Sequence, residues 1–302
     1  MTSGYTTNKK AVITCTIGDE YFNQWNEFFR ESWEHWCHKN NYDLIIFKDF
    51  IENDDSFKEP RSPAWQKLLA MAHNSLEHYE HALWIDSDIF INPSSPDPLQ
   101  HQTDQTIGMT IDNGSPLSPE PEWFTKKWKD ILNVAPSIIE EFGKFNREFN
   151  GYYDLWGMNS LCKKLYNTGV ILFQPEAHNQ YFTDIYHQWP DGGKGALHEM
   201  VPLNLCLSKH NIIRELDYRF NVLFGVHYAV YQRLGRYIDD FENFNSKQSN
   251  DCIEFLSTIL TNSHFIHFAG CHDLMYMLFK HEEYKEVFTQ LMKYEKALAN
   301  QS

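Results

Sequence analysis

The chain has 302 residues, 42% of them hydrophobic and 16% aromatic, with a formal net charge of −15. Length and apolar content suffice for one large domain or two modest ones with a real core. The charge argues against a nucleic-acid backbone or an anionic membrane as the main partner, since both require a basic surface, but it leaves open a locally basic pocket for a phosphorylated small molecule.

Six cysteines (Cys15, Cys37, Cys162, Cys206, Cys252 and Cys271) are scattered and form no C-x-x-C pair. That fits buried thiols in a reducing compartment better than a zinc ribbon or a disulfide framework. The first ten residues, MTSGYTTNKK, contain no apolar h-region. No apolar run reaches the ~18 residues of a membrane span. The expectation is a cytoplasmic protein without an integral membrane segment, of a size of assembly that the sequence leaves open.

AVITCTI, residues 11–17, is a β-branched run ending at Gly18 and predicts a first core strand. A helix rich in aromatics is expected from Tyr21 to about Lys39, then a strand over YDLIIFK, residues 42–48. Ser62 and Pro63 offer a helix cap and first turn. Trp65, Leu68, Leu69, Ala72, Leu76 and Tyr79 then recur at helical spacing, which predicts one amphipathic helix. Ala82–Ile85 reads as a third strand and Thr106–Ile111 as a fourth. This β-α-β-α-β order predicts a mostly parallel sheet flanked by helices.

Residues 113–165 are rich in Pro, Asn and aromatics and read as an irregular insertion, a candidate acceptor-side subdomain in an otherwise single-domain chain. YNTGVILFQ, residues 166–174, resumes strand character. Helices are expected over 178–189 and 200–210, a flexible turn at DGGKG, residues 191–195, and a short strand at FIHF, residues 265–268. Tyr284, Phe288, Leu291 and Leu298 recur at helical spacing and predict a C-terminal helix, within residues 280–302, docked on the core.

WIDSDIFIN, residues 84–92, sets Asp86 and Asp88 inside an apolar run at the carboxyl end of the third strand. Ligands of open α/β sheets bind at such ends. On an extended chain the two side chains face one way, and two adjacent carboxylates repel unless a cation lies near them. Hard oxygen ligands suit Mg²⁺ or Mn²⁺ and leave room for phosphate oxygens. The plain alternative is a pair of solvated loop acids.

This stretch resembles the D-x-D motif of glycosyltransferases with the GT-A fold. Further along, Trp65-x-Lys67, the N-x-G-V of residues 167–170, HEMVPLN of residues 198–204 and HFAGC of residues 267–271 stand in the order found in the retaining galactosyl-, mannosyl- and xylosyltransferases typified by galactomannan galactosyltransferase. Glycogenin-like enzymes share a looser version. The resemblance spans roughly residues 10–275, with the insertion unmatched.

The resemblance implies a Rossmann-like GT-A sheet and a metal held by Asp88 and His267 together with Asp86, which would bind the metal, the ribose, or both. It implies a nucleoside-diphosphate sugar as donor, with UDP as the default nucleotide. Thr14, Cys15 and Thr16 would meet the nucleoside base and Lys67 the nucleotide. Gly169, Gly270 and His272 would line the donor site, and Asn167 and Glu199 would serve the reacting sugar. Tyr152, Tyr153 and Trp156 are candidates for stacking on an acceptor sugar. Several have a bland alternative: His267 as a hydrogen-bonded core histidine, Lys67 as an exposed helix lysine, Asn167 and Gly169 as an ordinary turn, and Tyr152, Tyr153 and Trp156 as a small local core.

Two departures stand out. Met200 replaces the family's glutamine, and His272-Asp273 stands where a lysine usually holds the diphosphate. His272, Lys67 or Arg219 are the candidates to replace it. The expected activity is therefore metal-dependent transfer of a hexose or pentose to a glycan or other hydroxyl acceptor, with retention. The alternative is a non-catalytic sugar-nucleotide or glycan-binding protein on the same scaffold. A D-x-D phosphohydrolase is disfavoured because Asp88-Ile89-Phe90 lacks the D-G-T-like turn.

Overall fold

The β-branched run near the N-terminus forms strand β1 (Lys10–Cys15) in a computed structural model, which describes residues 9–52, 61–101, 105–112, 164–191, 197–225, 227–228 and 246–299. It joins β2 (Asp43–Phe47), β3 (His81–Ile85), β5 (Ile107–Ile111), β6 (Tyr166–Phe173) and β7 (Ile213–Glu215) in one sheet of order β2-β1-β3-β6-β5-β7. The β1–β2, β1–β3 and β5–β7 pairings are parallel. Only β6 runs against its two neighbours. The expected mostly parallel sheet is present, with one reversed strand at its centre.

Strand parity divides the core in two. Val12, Leu83, Ile85, Val170 and Leu172 face one layer with Trp25, Phe29, Trp33, Trp36 and Phe279. Ala11, Ile13, Ala82, Trp84, Ile171 and Phe173 face the other with Trp65, Leu68 and Phe182. A sheet covered on both faces needs apolar residues at every position, which is why β1, β3 and β6 read as continuous hydrophobic runs.

The expected helices appear in order with revised bounds, and the helices over Ser246–Asn262 and His272–Lys280 are additional to them. The first is two helices, α1 (Asp19–Phe28) and α2 (Arg30–Asn40), broken at Phe29, whose φ is −120°. Its fully buried ring packs against Phe268 and Phe279. The helix expected from Trp65 to Tyr79 is shorter: a 3₁₀ turn at Pro63–Trp65, α3 (Gln66–Met71), and a second 3₁₀ turn at Asn74–Leu76. His73 goes extended there and its Nδ1 accepts the Ser75 N–H. A local side-chain bond of this kind competes with helix continuation. All six residues of α3 are buried, so Gln66 and Lys67 point into protein and the helix has no solvent face.

Beyond β6 come α4 (Pro175–Gln188) and α5 (Met200–Lys209), then α6 (Ser246–Asn262), α7 (His272–Lys280) and α8 (Glu282–Ala299). The tail docks as expected: Tyr284, Phe288 and Met292 are buried, and the Phe288 ring stacks on Phe279 at 4.4 Å. Leu298, expected on the docking face, is 43% exposed. Among the described residues no helix is long and apolar enough to cross a membrane. Residues 113–163 of the expected insertion, with Tyr152, Tyr153 and Trp156, and most of the DGGKG turn lie outside the described residues.

A second sheet was not expected. β4 (Ile89–Ile91), β9 (Phe265–His267) and β8 (Val222–Leu223) form a three-stranded sheet of order β4-β9-β8. Ile89 stands opposite His267 in the antiparallel β4–β9 pair. This sheet brings a histidine from the end of the chain against the two aspartates.

Candidate active site and metal centre

Asp86 to Asp88 bridge the two sheets. They are a turn between β3 and β4 and not the extended segment that the residue alternation suggested. The turn is clamped at both ends: Asp86 N–H donates to Gly169 O at 2.8 Å on the β6 side, and Phe268 N–H donates to Asp88 O at 3.0 Å on the β9 side. The carboxylates converge because the turn is tied to both sheets.

His267 Nε2 lies 3.1 Å from Asp88 Oδ1 and 3.8 Å from Asp86 Oδ2. One ligand atom from each of the three residues falls within 4.8 Å of the others. Two carboxylates and an imidazole are a donor set suited to Mn²⁺ and tolerant of Mg²⁺, so the residues fit the implied ion. Burial works to raise the Asp88 pKa, but the charge and hydrogen bonds of His267 and His272 hold it well below the ordinary carboxylate value. Burial likewise works to lower that of His267, and Asp88 outweighs it, so the imidazole is raised.

Asp86 divides its oxygens. Oδ1 accepts from Trp84 Nε1 at 2.8 Å and lies 3.1 Å from Lys67 Nζ, while Oδ2 faces His267. Lys67 is a buried ammonium rather than a surface lysine. It donates to Glu199 Oε1 at 2.7 Å and to Thr168 O and Oγ1. Burial would lower its pKa, but Asp86 and Glu199 prevail and raise it. Glu199, 4% exposed, is thus tied to Asp86 through one cation.

These groups line a cavity of about 630 Å³ beyond the carboxyl ends of β1 and β3, the place where ligands of α/β sheets bind. Cys15, Lys67, Asp86, Asp88, Asn167, Glu199, His267, Gly270 and His272 are all on its wall. Thr14 and Thr16 are fully buried and Cys15 is half-buried; strand alternation turns only Cys15 and Ile17 to the cavity. Burial pushes the Cys15 thiol up to about 12. Gly169 serves the imidazole: a Cβ there would meet His267 Cε1 at 2.4 Å. Gly270 has φ +69°, a conformation that glycine adopts without strain.

Asn167 sits where β6 loses its register with β5, pairing with Thr110 after Ile171 has paired with Met109. Irregularities of this kind re-aim side chains and recur beside active sites. Its amide is heavily committed: Oδ1 accepts from Gly169 N–H at 2.8 Å and from Asn221 Nδ2 at 2.7 Å, and Nδ2 donates to Asp112 Oδ1 at 2.8 Å. Asn221 Oδ1 in turn meets His267 Nδ1 at 2.9 Å. Of the candidates to replace the lysine, Arg219 is ion-paired to Asp217 and absent from the cavity wall, and Lys67 is committed as above. His272 lies at the wall, 3.4 Å from Asp88 Oδ2.

Sequence reasoning missed several residues. Asn221 and Asp112 carry no motif, and their partners are 46 and 55 residues away. Asp112, on the cavity wall, also stands at the start of the expected insertion, and its N–H donates to Leu165 O at 2.9 Å. Tyr21, 52% exposed, stands at the rim. His198, adjacent to Glu199, has φ +48° and its Nδ1 lies 3.2 Å from Asp191 Oδ1. A left-handed non-glycine residue on a cavity wall is the sort of strain that clusters at functional sites.

No protein-family model matches the sequence, and no curated protein matches it. Solved structures do resemble it. The bifunctional glycosyltransferase WbbM, in its apo form, superposes with a TM-score of 0.51 at 13% identity, over 93% of this chain and 51% of WbbM. The galactosyltransferase LgtC, in complex with donor and acceptor sugar analogues, superposes with a TM-score of 0.50 at 13% identity, over 94% of this chain and 95% of LgtC. A glycosyltransferase involved in glycosylation of the major capsid of PBCV-1 covers 95% of this chain and 98% of its own, at 10% identity and a TM-score of 0.47. At these identities the likeness concerns the fold: the chain has a GT-A-type α/β architecture.

Proposed function

We propose that the protein is a divalent-metal-dependent glycosyltransferase that moves a hexose or pentose from a nucleoside-diphosphate sugar, first candidate UDP, to a hydroxyl of a glycan or other acceptor. The observation that carries this reading is the meeting of Asp86, Asp88 and His267 Nε2 on the wall of the cavity at the strand ends. A bound Mn²⁺ or Mg²⁺ supplies Lewis-acid stabilisation of a departing diphosphate.

The chain's own groups divide the remaining work. His272, at the cavity wall beside Asp88, offers an N–H to a phosphate oxygen in the place of the family's lysine. Tyr21 presents an exposed ring at the rim near Cys15 and Ile17, suited to a nucleobase face. Glu199, fixed by Lys67, and His198, fixed by Asp191, offer acceptors to sugar hydroxyls. In the transfer, the bond from the anomeric carbon to the diphosphate oxygen breaks and its electron pair leaves with the phosphate. The acceptor oxygen bonds the anomeric carbon, and its proton passes to the leaving phosphate. Retention rests on the resemblance. Glu199 Oε1 is held by Lys67 at 2.7 Å and by Thr168, which favours front-face attack over Glu199 as a covalent nucleophile.

A second reading, a non-catalytic sugar-nucleotide or glycan-binding protein, is favoured by one observation. Among the described residues Lys67 is the only lysine or arginine on the cavity wall, and it is committed to Asp86 and Glu199. The test is nucleotide release from UDP-galactose, UDP-glucose, UDP-xylose and GDP-mannose with Mn²⁺ and with chelator. Metal-dependent release supports the transferase. Metal-dependent binding without release supports the second reading, and neither binding nor release contradicts both.

A further inference from the structure

We infer that Asn167 and Asn221 form a positioning pair that locks His267 with the proton on Nδ1 and Nε2 aimed at Asp86 and Asp88. Which atoms can donate fixes each orientation in turn. A backbone N–H can only donate, so the Asn167 atom 2.8 Å from Gly169 N must be its oxygen. The other end agrees, because the Asn167 atom 2.8 Å from the Asp112 carboxylate must then be its NH₂. Asn221 presents an atom 2.7 Å from that same Asn167 oxygen, so this atom is the Asn221 NH₂. The remaining Asn221 atom, 2.9 Å from His267 Nδ1, is then an oxygen, and Nδ1 must carry a proton. Both amide orientations, usually a matter of assignment, are fixed here by a group that has no choice.

The consequence lies at the opposite ring nitrogen. With the alternative tautomer, a neutral His267 would donate Nε2–H to Asp88, 3.1 Å away, and the cluster would be satisfied without any ion. The amide pair removes that option. A neutral ring now presents a lone pair to two carboxylates, an arrangement that requires a positive charge, either a proton on Nε2 or a metal ion. Outer partners of this type commonly fix the tautomer of a ligating histidine. Here the relay runs from the main chain through two buried side-chain amides, Asn167 8% exposed and Asn221 5% exposed. Gly169 supplies both the N–H that starts the relay and the missing Cβ that admits the ring.

The inference deepens the proposed metal site and rests on that reading for its consequence, but its first test does not need the metal. Long-range ¹H–¹⁵N spectra of the metal-free protein at alkaline pH, where the ring is neutral, should show His267 with Nδ1 protonated and Nε2 bare. A ring protonated on Nε2 would overturn the inference. Mn²⁺ titration then tests the consequence: Asn221→Leu should weaken Mn²⁺ binding by about 10–100-fold, while Asn221→Asp, which keeps an acceptor at Nδ1 but loses the donor to Asn167 Oδ1, should restore part of it. Unchanged affinity in Asn221→Leu would remove the positioning role. Should that variant fail to fold, the wild-type spectrum still decides. A wild type that has the Nδ1–H ring and binds no Mn²⁺ would uphold the lock and refute the metal site.

Discussion

A Cβ placed on Gly169 would lie 2.4 Å from Cε1 of His267 and 2.6 Å from its Nδ1. The imidazole therefore occupies the space that any other residue at 169 would fill. Gly169→Ala is expected to displace the ring, lower stability by about 1–3 kcal/mol as overpacking does, and weaken Mn²⁺ binding. Denaturant unfolding and Mn²⁺ titration of the same variant check both effects.

Lys67 holds two carboxylates from different parts of the chain, Asp86 at 3.1 Å and Glu199 at 2.7 Å. Lys67→Met would strand both without their cation. Removing one partner of a buried ion pair costs about 3–5 kcal/mol, so a large loss of unfolding free energy is expected. The double variant Lys67→Met with Glu199→Gln should recover part of it. Equilibrium denaturation of the three proteins provides the check.

The pH dependence of the metal-free protein follows from the shifted pair. His267 is raised above its ordinary 6.5, so its contribution is complete below 6.5 and is lost as pH rises through the folded value. Asp88 is depressed below its ordinary 3.8, so its contribution is complete above 3.8 and is lost as pH falls through the folded value. The pair should stabilise the metal-free protein most between those two ordinary values. Because a metal needs Nε2 unprotonated, the rise in melting temperature on adding Mn²⁺ should grow with pH. Melting curves across a pH series, with Mn²⁺ and with chelator, test this.

His272 is half-exposed at the cavity wall and 3.4 Å from Asp88. His272→Ala should weaken nucleoside-diphosphate binding by about tenfold or more, the size of one hydrogen bond to a charged group. His272→Lys, which restores the family's residue type, should preserve or strengthen it. Calorimetric titration with UDP in the presence of Mn²⁺ distinguishes the two directions.

Much of this architecture was legible because burial on both faces leaves long apolar runs, as in β1, β3 and β6, and because Asp86 and Asp88 interrupt one such run conspicuously. What stayed hidden depends on distant pairing. The three residues of β4 look like a continuation of β3, and only their pairing with β9 reveals a second sheet. Lys67 looks exposed because its apolar neighbours alternate helically, yet α3 is buried all round. Asn221 and Asp112 carry no local pattern, since an amide's role is set by partners dozens of residues away. The helix expected to reach Tyr79 stops at Met71, where His73 bonds to the next turn's backbone.

The central claim is that Asp86, Asp88 and His267 grip one divalent cation that bridges to a diphosphate. Its most direct test is calorimetric titration of UDP into wild-type protein and Asp88→Asn, each with Mn²⁺ and with chelator. Binding to the wild type with Mn²⁺, lost on chelation and lost in Asp88→Asn while the variant keeps its fold, is the expected result. UDP binding of equal strength with chelator, or in Asp88→Asn, would contradict the account.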